Sequence, residues 1–312
     1  MSSLVLPHTG VETVPKRSPT RSPRRPREES PLLKWLRGGQ QIAWGTDPGA
    51  FSPEIVKRTL PWVKKLYGPG RYFGLDVSGW ENIPEAPAMI VSNHSGGTTI
   101  PDVWGFIAAW YQNFGVHRPL HPMAHEIILS TQATGEFFAR RGVLRADREL
   151  AVSVLRDWKR DLMVMPGGDL DTWRPYSERY RVRFGGRNGY ARTALQAGVP
   201  IIPMAHAGAH ETLIVLSDGQ RLARALHLHE MARASIWPIH LSLPWGLAIG
   251  PWPHIPTPAR FRYRIGPRVE PPARAKPGRE PDDDLVREYD HRVQAAVQRL
   301  LDELAATDGH RR

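Results

Sequence analysis

The sequence predicts an α/β fold in which helices flank a mixed, largely parallel sheet, with amphipathic helices at the N-terminal side. Two observations carry this prediction. Short apolar runs typical of buried strands alternate with segments of helical periodicity from residue 73 onward. Four of these runs end in glycines, histidines or acidic residues, and functional side chains gather where parallel strands end. In addition, no run reaches the roughly 18 apolar residues of a membrane-spanning helix.

Composition and charge divide the 312 residues into four parts. Residues 1–30 predict a disordered basic tail or, alternatively, an arm that contacts a membrane or nucleic acid. This tail has six Lys and Arg against three Glu, and so carries +3 of the net charge of +11. Residues 31–70 predict an amphipathic, membrane-proximal helical segment, residues 71–270 the α/β domain, and residues 281–306 a C-terminal helix packed on that domain. The remaining +8 favours an anionic partner, and the absence of cysteine excludes disulfides and a cysteine nucleophile.

The first helix is predicted in the stretch SPEIVKRTLPWVKKLY, where apolar pairs recur every three or four residues. Lys57, Arg58, Lys64 and Lys65 fall between these pairs, toward the other side. Two interpretations stay open: a helix packed on the domain, and an interfacial helix that turns its basic side to anionic lipid. Pro61 is expected to kink or divide the segment, because proline lacks a backbone donor.

Strands and helices then alternate along the chain. Strands are predicted for FGLDVSG, APAMIVSN, PLHPMAH, LMVMPGG and VPIIPMAH, and a late strand for ARFRYRIG. Helices are predicted for DVWGFIAAWYQNFG, which begins at Asp102, for RADRELAVSVLRDWKRD, and for GRNGYARTALQAG with its terminal glycine. The stretch before the late strand contains too many prolines for a helix. The segment PDDDLVREYDHRVQAAVQRLLDELAA predicts an amphipathic helix whose acidic start favours the positive end of the helix dipole.

The predicted site lies where four strands end, in SNHSGG, HPMAHE, PGGDLDTWRP and AHAGAHET. His94 is the candidate general base, because imidazole can take a proton from an alcohol near neutral pH. Such a base needs a partner that fixes its tautomer, and Asp102 is the nearest candidate in the sequence. Gly96 and Gly97 would let backbone N–H groups approach a ligand and stabilise an oxyanion.

Two histidine pairs raise a metal alternative: His121 with His125, and His206 with His210. Residues four apart suit zinc when they lie on a helix, but both pairs fall at predicted strand ends, where that spacing does not place them on one face. We therefore predict no metal, and interpret these histidines as loop residues around a ligand or as structural residues. A serine hydrolase is disfavoured, because the chain lacks a G-x-S-x-G elbow.

Four segments, in order, resemble the sequence blocks of the glycerolipid acyltransferase superfamily. The family has a histidine, four residues and an aspartate; here Thr99 stands at that aspartate position after His94, and the carboxylate follows at Asp102. In GEFFARRG, Arg141 falls at the arginine of the second block. In MPGG, Gly167 replaces the glutamate of the third block, and a leucine stands at its arginine position. AGVPIIPMA fits the fourth block, an apolar strand with two prolines.

The proline-glycine-glycine block, the segment RNGYARTALQAGVPIIP and the turn GAHE are most similar to the monoacylglycerol and diacylglycerol acyltransferase-like branch. The resemblance implies a glycerolipid acyltransferase-like fold and transfer of a fatty acyl chain from an acyl thioester, acyl-CoA, to a glycerolipid hydroxyl. It implies His94 as the base, Asp102 as its support and no cofactor beyond the donor. The residues assigned to substrate binding are Gly96, Gly97, Arg141, Gly167, Gly168, Asp169, Arg174, His210 and Glu211.

The acceptor is predicted to be neutral. In phosphate-accepting relatives the third-block arginine is expected to hold the phosphate, whereas here Asp169 adds a negative charge that repels one. Arg174 or Arg179 could restore a phosphate site. Two alternatives therefore remain: an acyltransferase of phospholipid synthesis that acts on lysophosphatidic acid, and a non-catalytic membrane-surface protein. The expected partners are acyl-CoA, the glycerolipid and an anionic membrane surface, with no nucleic acid, and the expected location is peripheral on the cytoplasmic face of the membrane.

Overall fold

The computed structural model describes residues 44–85, 87–225, 227 and 236–309. The tail predicted for residues 1–30 and the first part of the helical segment predicted for residues 31–70 lie outside this range. The strands are β1 Phe73–Ser78, β2 Met89–Ser92, β3 Leu120–Ala124, β4 Leu144–Arg145, β5 Asp161–Val164, β6 Ile201–Ala207, β7 Ile214–Ser217, β8 Ile239–Ser242, β9 Gly246–Ile249 and β10 Ala259–Ile265. The helices are α1 Pro53–Leu66, α2 Pro101–Phe114, α3 Gln132–Ala139, α4 Arg148–Arg156, α5 Asp169–Thr172, α6 Gly189–Ala197, α7 Gln220–Ala225 and α8 Asp283–Gly309.

Seven strands form the main sheet, in the order β1-β10-β6-β2-β5-β3-β4. The strands from β6 to β4 are parallel, β10 runs antiparallel to β6, and β1 runs parallel to β10. This arrangement confirms the predicted mixed, largely parallel sheet flanked by helices. Because β6, β2 and β5 are neighbours, the loops that follow them leave the same edge of the sheet side by side.

Helices cover both faces of the sheet, which explains why its strands read as continuous apolar runs. In β2, Met89 and Val91 pack in the cluster that contains α4, α6 and α8. Ile90, between them, packs on the other face with residues of α1 and α2. Successive strand residues point to opposite faces, so all three are fully buried.

Helix α1 is continuous across Pro61, so of the two predicted effects, a kink or a division of the segment, the division is wrong. Pro61 is exposed, and the carbonyl of Lys57 that loses its helical donor lies on the same exposed side, where water can satisfy it. Val56 is buried against the domain core, while the four basic residues of the helix are exposed. Within the described residues, no helix has the length and apolar character needed to cross a bilayer.

A second sheet of three antiparallel strands, in the order β7-β8-β9, was not predicted. Its last strand, β9, lies in the stretch whose prolines excluded a helix, and each of the three strands has only four residues. Runs this short leave no clear period in the sequence, so only their pairing in space defines them.

Candidate active site

His94 and Asp102 meet directly. His94 follows β2, Asp102 lies in the first turn of α2, and His94 Nδ1 is 2.6 Å from Asp102 Oδ2. A 3₁₀ turn at Gly97–Thr99 lies between them, and Ile100 then adopts a left-handed conformation with φ 43°. A β-branched residue rarely takes such a φ, and strain of this kind concentrates at functional sites. The turn thus accommodates the spacing of eight residues and returns Asp102 to the histidine.

Asp102 is completely buried and forms polar contacts with three groups. Besides His94, its Oδ2 accepts the Ser95 backbone N–H at 3.0 Å and lies 3.1 Å from His206 Nε2. Burial raises the pKa of the Asp102 carboxyl, but His94 and His206 lower it by more, so the pKa lies well below its usual range. Asp102 is therefore ionised at neutral pH, and it contacts His94 through Nδ1, which leaves Nε2 on the opposite side of the imidazole ring.

A second buried carboxylate, Asp171 in α5, fixes the backbone of His94. Asp171 Oδ2 accepts the His94 N–H at 2.6 Å, and Oδ1 accepts the Arg183 N–H at 3.1 Å. The same Oδ1 pairs with Arg174, and both side chains of this pair are fully buried. Sequence reasoning missed Asp171. The second aspartate of PGGDLDTW was the available signal, but its value depends on a contact with a loop 77 residues away.

Two histidines of the fourth strand end complete the polar cluster. His206 exchanges hydrogen bonds with Asn93: its backbone N–H donates to Asn93 Oδ1, and its carbonyl accepts from Asn93 Nδ2, both at 2.9 Å. These bonds hold the end of β6 against the end of β2. His210 Nε2 accepts from Arg174 Nη2 at 2.8 Å. Burial and the charge of Arg174 place the pKa of His210 well below its usual value, so this imidazole is neutral.

A family model of acyltransferases matches residues 74–207, the segment that contains His94, Asp102 and Asp171. This segment is therefore similar to acyltransferases. His94, Asp102, Asp171 and His206 lie within this segment, and His210 follows it directly.

Several known proteins are similar to this chain. A Mycobacterium tuberculosis protein without an assigned activity is 27% identical over 279 residues, 88% of this chain and 72% of its own. The Gallus gallus protein called DGAT1/2-independent enzyme synthesizing storage lipids is 32% identical over 174 residues, 55% of this chain and 50% of its own. The Homo sapiens protein of that name is 31% identical over 157 residues, 50% of this chain and 46% of its own. The crystal structure of PlsC, the 1-acyl-sn-glycerophosphate acyltransferase of Thermotoga maritima, is similar with a TM-score of 0.46 and 20% identity, and covers 81% of this chain and 78% of its own.

The glycines predicted to bind substrate are required by close packing. A Cβ at Gly97, where φ is 68°, would lie 2.5 Å from Leu213 Cδ2 and 2.7 Å from His254 Cε1. At Gly96 it would lie 2.8 Å from Pro101, and at Gly167 it would lie 2.3 Å from the Cβ of Asp171. Gly167 thus admits Asp171 to its position beside His94. The role of Gly96 and Gly97 as oxyanion donors stays a prediction.

Most of the other predicted substrate-binding residues bind neighbouring protein groups. Asp169 pairs with Arg187 at 2.6 Å, and a Cβ at Gly168 would lie 2.7 Å from that guanidinium. Glu211 is exposed, and its carbonyl accepts from Thr257 Oγ1 at 2.7 Å. Arg141 lies outside the cluster.

Arg141 joins helices α1 and α3. Its guanidinium donates to the Phe137 carbonyl at 2.7 Å and to Thr59 Oγ1 at 3.2 Å, and it stacks over the Phe137 ring. Of the histidines weighed as metal ligands, His121 is buried with Nδ1 2.8 Å from the Gly142 carbonyl. Among the described residues, no three His, Cys, Asp or Glu side chains are placed to share a metal ion.

Proposed function

We propose that this protein is an acyltransferase that moves a fatty acyl chain from acyl-CoA to a hydroxyl of a neutral glycerolipid, a mono- or diacylglycerol, with His94 as general base. The contact of His94 Nδ1 with the ionised Asp102 carries this proposal, because it orients Nε2 to accept a proton. The acceptor hydroxyl gives its proton to Nε2, and its oxygen bonds to the thioester carbonyl carbon. The C–S bond then breaks, and His94 returns the proton to the departing coenzyme A thiolate.

Asp102 and Asp171 act as positioning residues in this scheme. Asp102 stabilises the imidazolium that forms on His94, and its burial strengthens that interaction. Asp171 holds the His94 backbone N–H, so the imidazole approaches the acceptor from a fixed point. No covalent enzyme intermediate is needed, which is consistent with a chain that contains no cysteine.

The neutral acceptor is supported by the ion pairs around the cluster. Arg174, which could have bound an acceptor phosphate, is fully buried and paired with Asp171. Arg187, which donates to the carbonyl of Gly167 in the glycine block, is paired with Asp169. A phosphate at Arg174 or Arg187 would have to break that pair and approach a carboxylate. Arg179, which contacts the Tyr176 carbonyl and ring, is therefore the arginine left for the phosphate alternative. The name of the vertebrate relatives, enzymes that synthesise storage lipids, points to the same acceptor class.

The proposed setting is an anionic membrane surface. Lys57, Arg58, Lys64 and Lys65 are exposed on α1 and available to anionic head groups. Reversing these charges should weaken binding to anionic vesicles by about 1 kcal/mol per residue close to the surface. Unchanged binding would contradict this role of α1 without touching the proposed reaction.

The decisive experiment measures transfer of a labelled acyl chain from acyl-CoA to monoacylglycerol, diacylglycerol and lysophosphatidic acid. His94→Ala should lower kcat by about 10²–10⁴, the usual contribution of a positioned general base. His117→Ala, at an exposed histidine outside the cluster, is the matched control. Full activity in His94→Ala would reject the mechanism, and a higher kcat/KM for lysophosphatidic acid would identify the phospholipid-synthesis alternative. No transfer to any acceptor by the wild-type protein would favour the non-catalytic alternative.

A further inference from the structure

The outer face of the β7-β8-β9 sheet is apolar and open. Ile214, Leu241 and Leu247 are paired across the three strands and therefore lie in one row on one face. Leu216 and Ile249 lie beside this row. These five side chains are exposed to between 41% and 64%. A contiguous apolar surface of this kind marks an interaction site, because isolated exposed residues would not line up across three strands.

The inner face of the same sheet packs on the active-site side of the domain. Val215, His240 and Ala248 form the alternate row and are buried. The His240 ring packs on Trp173, with ring centroids 5.2 Å apart. A sheet with two apolar faces is normally covered on both sides, and here the domain covers one face.

The segment that forms most of the open face lacks charged side chains, which excludes partners that bind through ion pairs. No Lys, Arg, Asp or Glu occurs between Arg233 and Arg260, although 23% of the chain is charged. Two tryptophans in the adjoining loops are about half exposed, and their indole N–H groups donate to backbone carbonyls: Trp245 to Pro253 at 2.6 Å and Trp252 to Ile249 at 2.8 Å. Both rings can therefore enter an apolar phase without losing a hydrogen bond.

The open face is continuous with the catalytic loop. Thr98 Oγ1 donates to the Pro251 carbonyl at 3.2 Å, and Thr99 Oγ1 lies 3.2 Å from His254 Nε2. These contacts attach the turn after His94 to the loop that follows β9. On another side, Tyr72 donates to the Pro256 carbonyl at 2.9 Å, which links this loop to the chain that leaves α1.

We propose that the outer face of the β7-β8-β9 sheet docks on the surface of a phospholipid bilayer through apolar contact, independently of head-group charge. Docking would bring the His94 loop to the lipid, so a glyceride could reach it without crossing water. The role given to docking, delivery of a glyceride to His94, rests on the proposed function. The docking itself can be tested without measuring catalysis. It differs from electrostatic attraction by α1, which requires anionic lipid.

The test uses the full chain and vesicles of phosphatidylcholine alone, in 0.5 M salt (about a 4 Å Debye length) to screen charges. Wild-type protein should sediment with the vesicles, and a triple variant Leu216→Ser, Leu247→Ser, Ile249→Ser should bind at least about tenfold more weakly. Trp158→Ser removes an apolar side chain of similar exposure outside the sheet, and should bind like wild type. Brominated acyl chains should quench tryptophan fluorescence, less so in a Trp245→Phe, Trp252→Phe variant.

Failure of docking and failure of the proposed reaction are distinguishable. The triple variant should keep wild-type activity toward a short-chain, water-soluble monoacylglycerol, whereas His94→Ala should lose that activity and still bind vesicles. Absence of wild-type binding to phosphatidylcholine, or equal binding by the triple variant, would overturn the docking proposal. A wild-type dimer that the triple variant dissociates, with vesicle binding unchanged, would assign the face to a second copy of the chain and would also overturn it.

Discussion

Replacing Arg174 by methionine should destabilise the fold, because the substitution leaves Asp171 charged and buried. Both side chains of the pair have no solvent exposure, and Asp171 also accepts the backbone N–H groups of His94 and Arg183. Removing one partner of a fully buried pair costs about 3–5 kcal/mol, since the remaining charge is left without compensation. For a domain of this size, a loss of 1 kcal/mol lowers Tm by about 2–4 °C. Arg174→Met should therefore lower Tm by roughly 6–20 °C.

The chain contains a matched control for this prediction. Arg287 and Asp284 have the same residue types and the same spacing of three as Arg174 and Asp171, but they are 61% and 81% exposed on α8. Arg287→Met should change the free energy of unfolding by less than about 1 kcal/mol, because solvent screens an exposed pair. Burial is thus the main difference between the two substitutions.

Thermal unfolding followed by circular dichroism measures both variants. Asp171→Asn combined with Arg174→Met should recover part of the loss, because no unpaired charge then remains. Equal Tm values for Arg174→Met and Arg287→Met would refute the reasoning. A stable Arg174→Met protein with a raised KM for lysophosphatidic acid would instead assign Arg174 to the acceptor.

Two further predictions concern the loop around His94. Gly97→Ala should destabilise the protein by about 1–3 kcal/mol more than Gly186→Ala, as measured by urea unfolding. Both glycines have positive φ, but only at Gly97 do heavy atoms lie closer than 3 Å to the new Cβ. Equal losses would mean that backbone strain alone matters. Burial and the neighbouring His240 lower the pKa of His254 to about 4, below the ordinary value of 6.5. The unfolded chain then binds the proton more readily, so stability falls as the pH falls from 6.5 toward 4. His254→Gln should reduce this loss when Tm is compared at pH 7 and pH 4.5, and an unchanged pH dependence would contradict the assignment.

The sequence alone was enough to predict the fold class and the strand ends at which the site lies. Strand β2 and strand β6 are recognisable because helices bury both of their faces, so each must be apolar along its whole length. His94 stands out because it follows such a strand and is followed by glycines. Helix α8 is recognisable because its apolar period is long and its start is acidic. Local chemistry is enough for each of these features.

The tertiary structure decided which groups surround His94. Asp102 is eight residues away in the chain, and only the left-handed turn at Ile100 determines that the two side chains meet. Asp171 lies 77 residues away from His94, and a buried carboxylate has no sequence pattern that distinguishes it from an exposed one. The apolar face of the β7-β8-β9 sheet likewise could not be predicted from the sequence, because strands of four residues acquire two faces only when they pair. Short-range periodicity records how each segment meets the core, whereas contacts between distant segments depend on how the whole sheet brings their ends together.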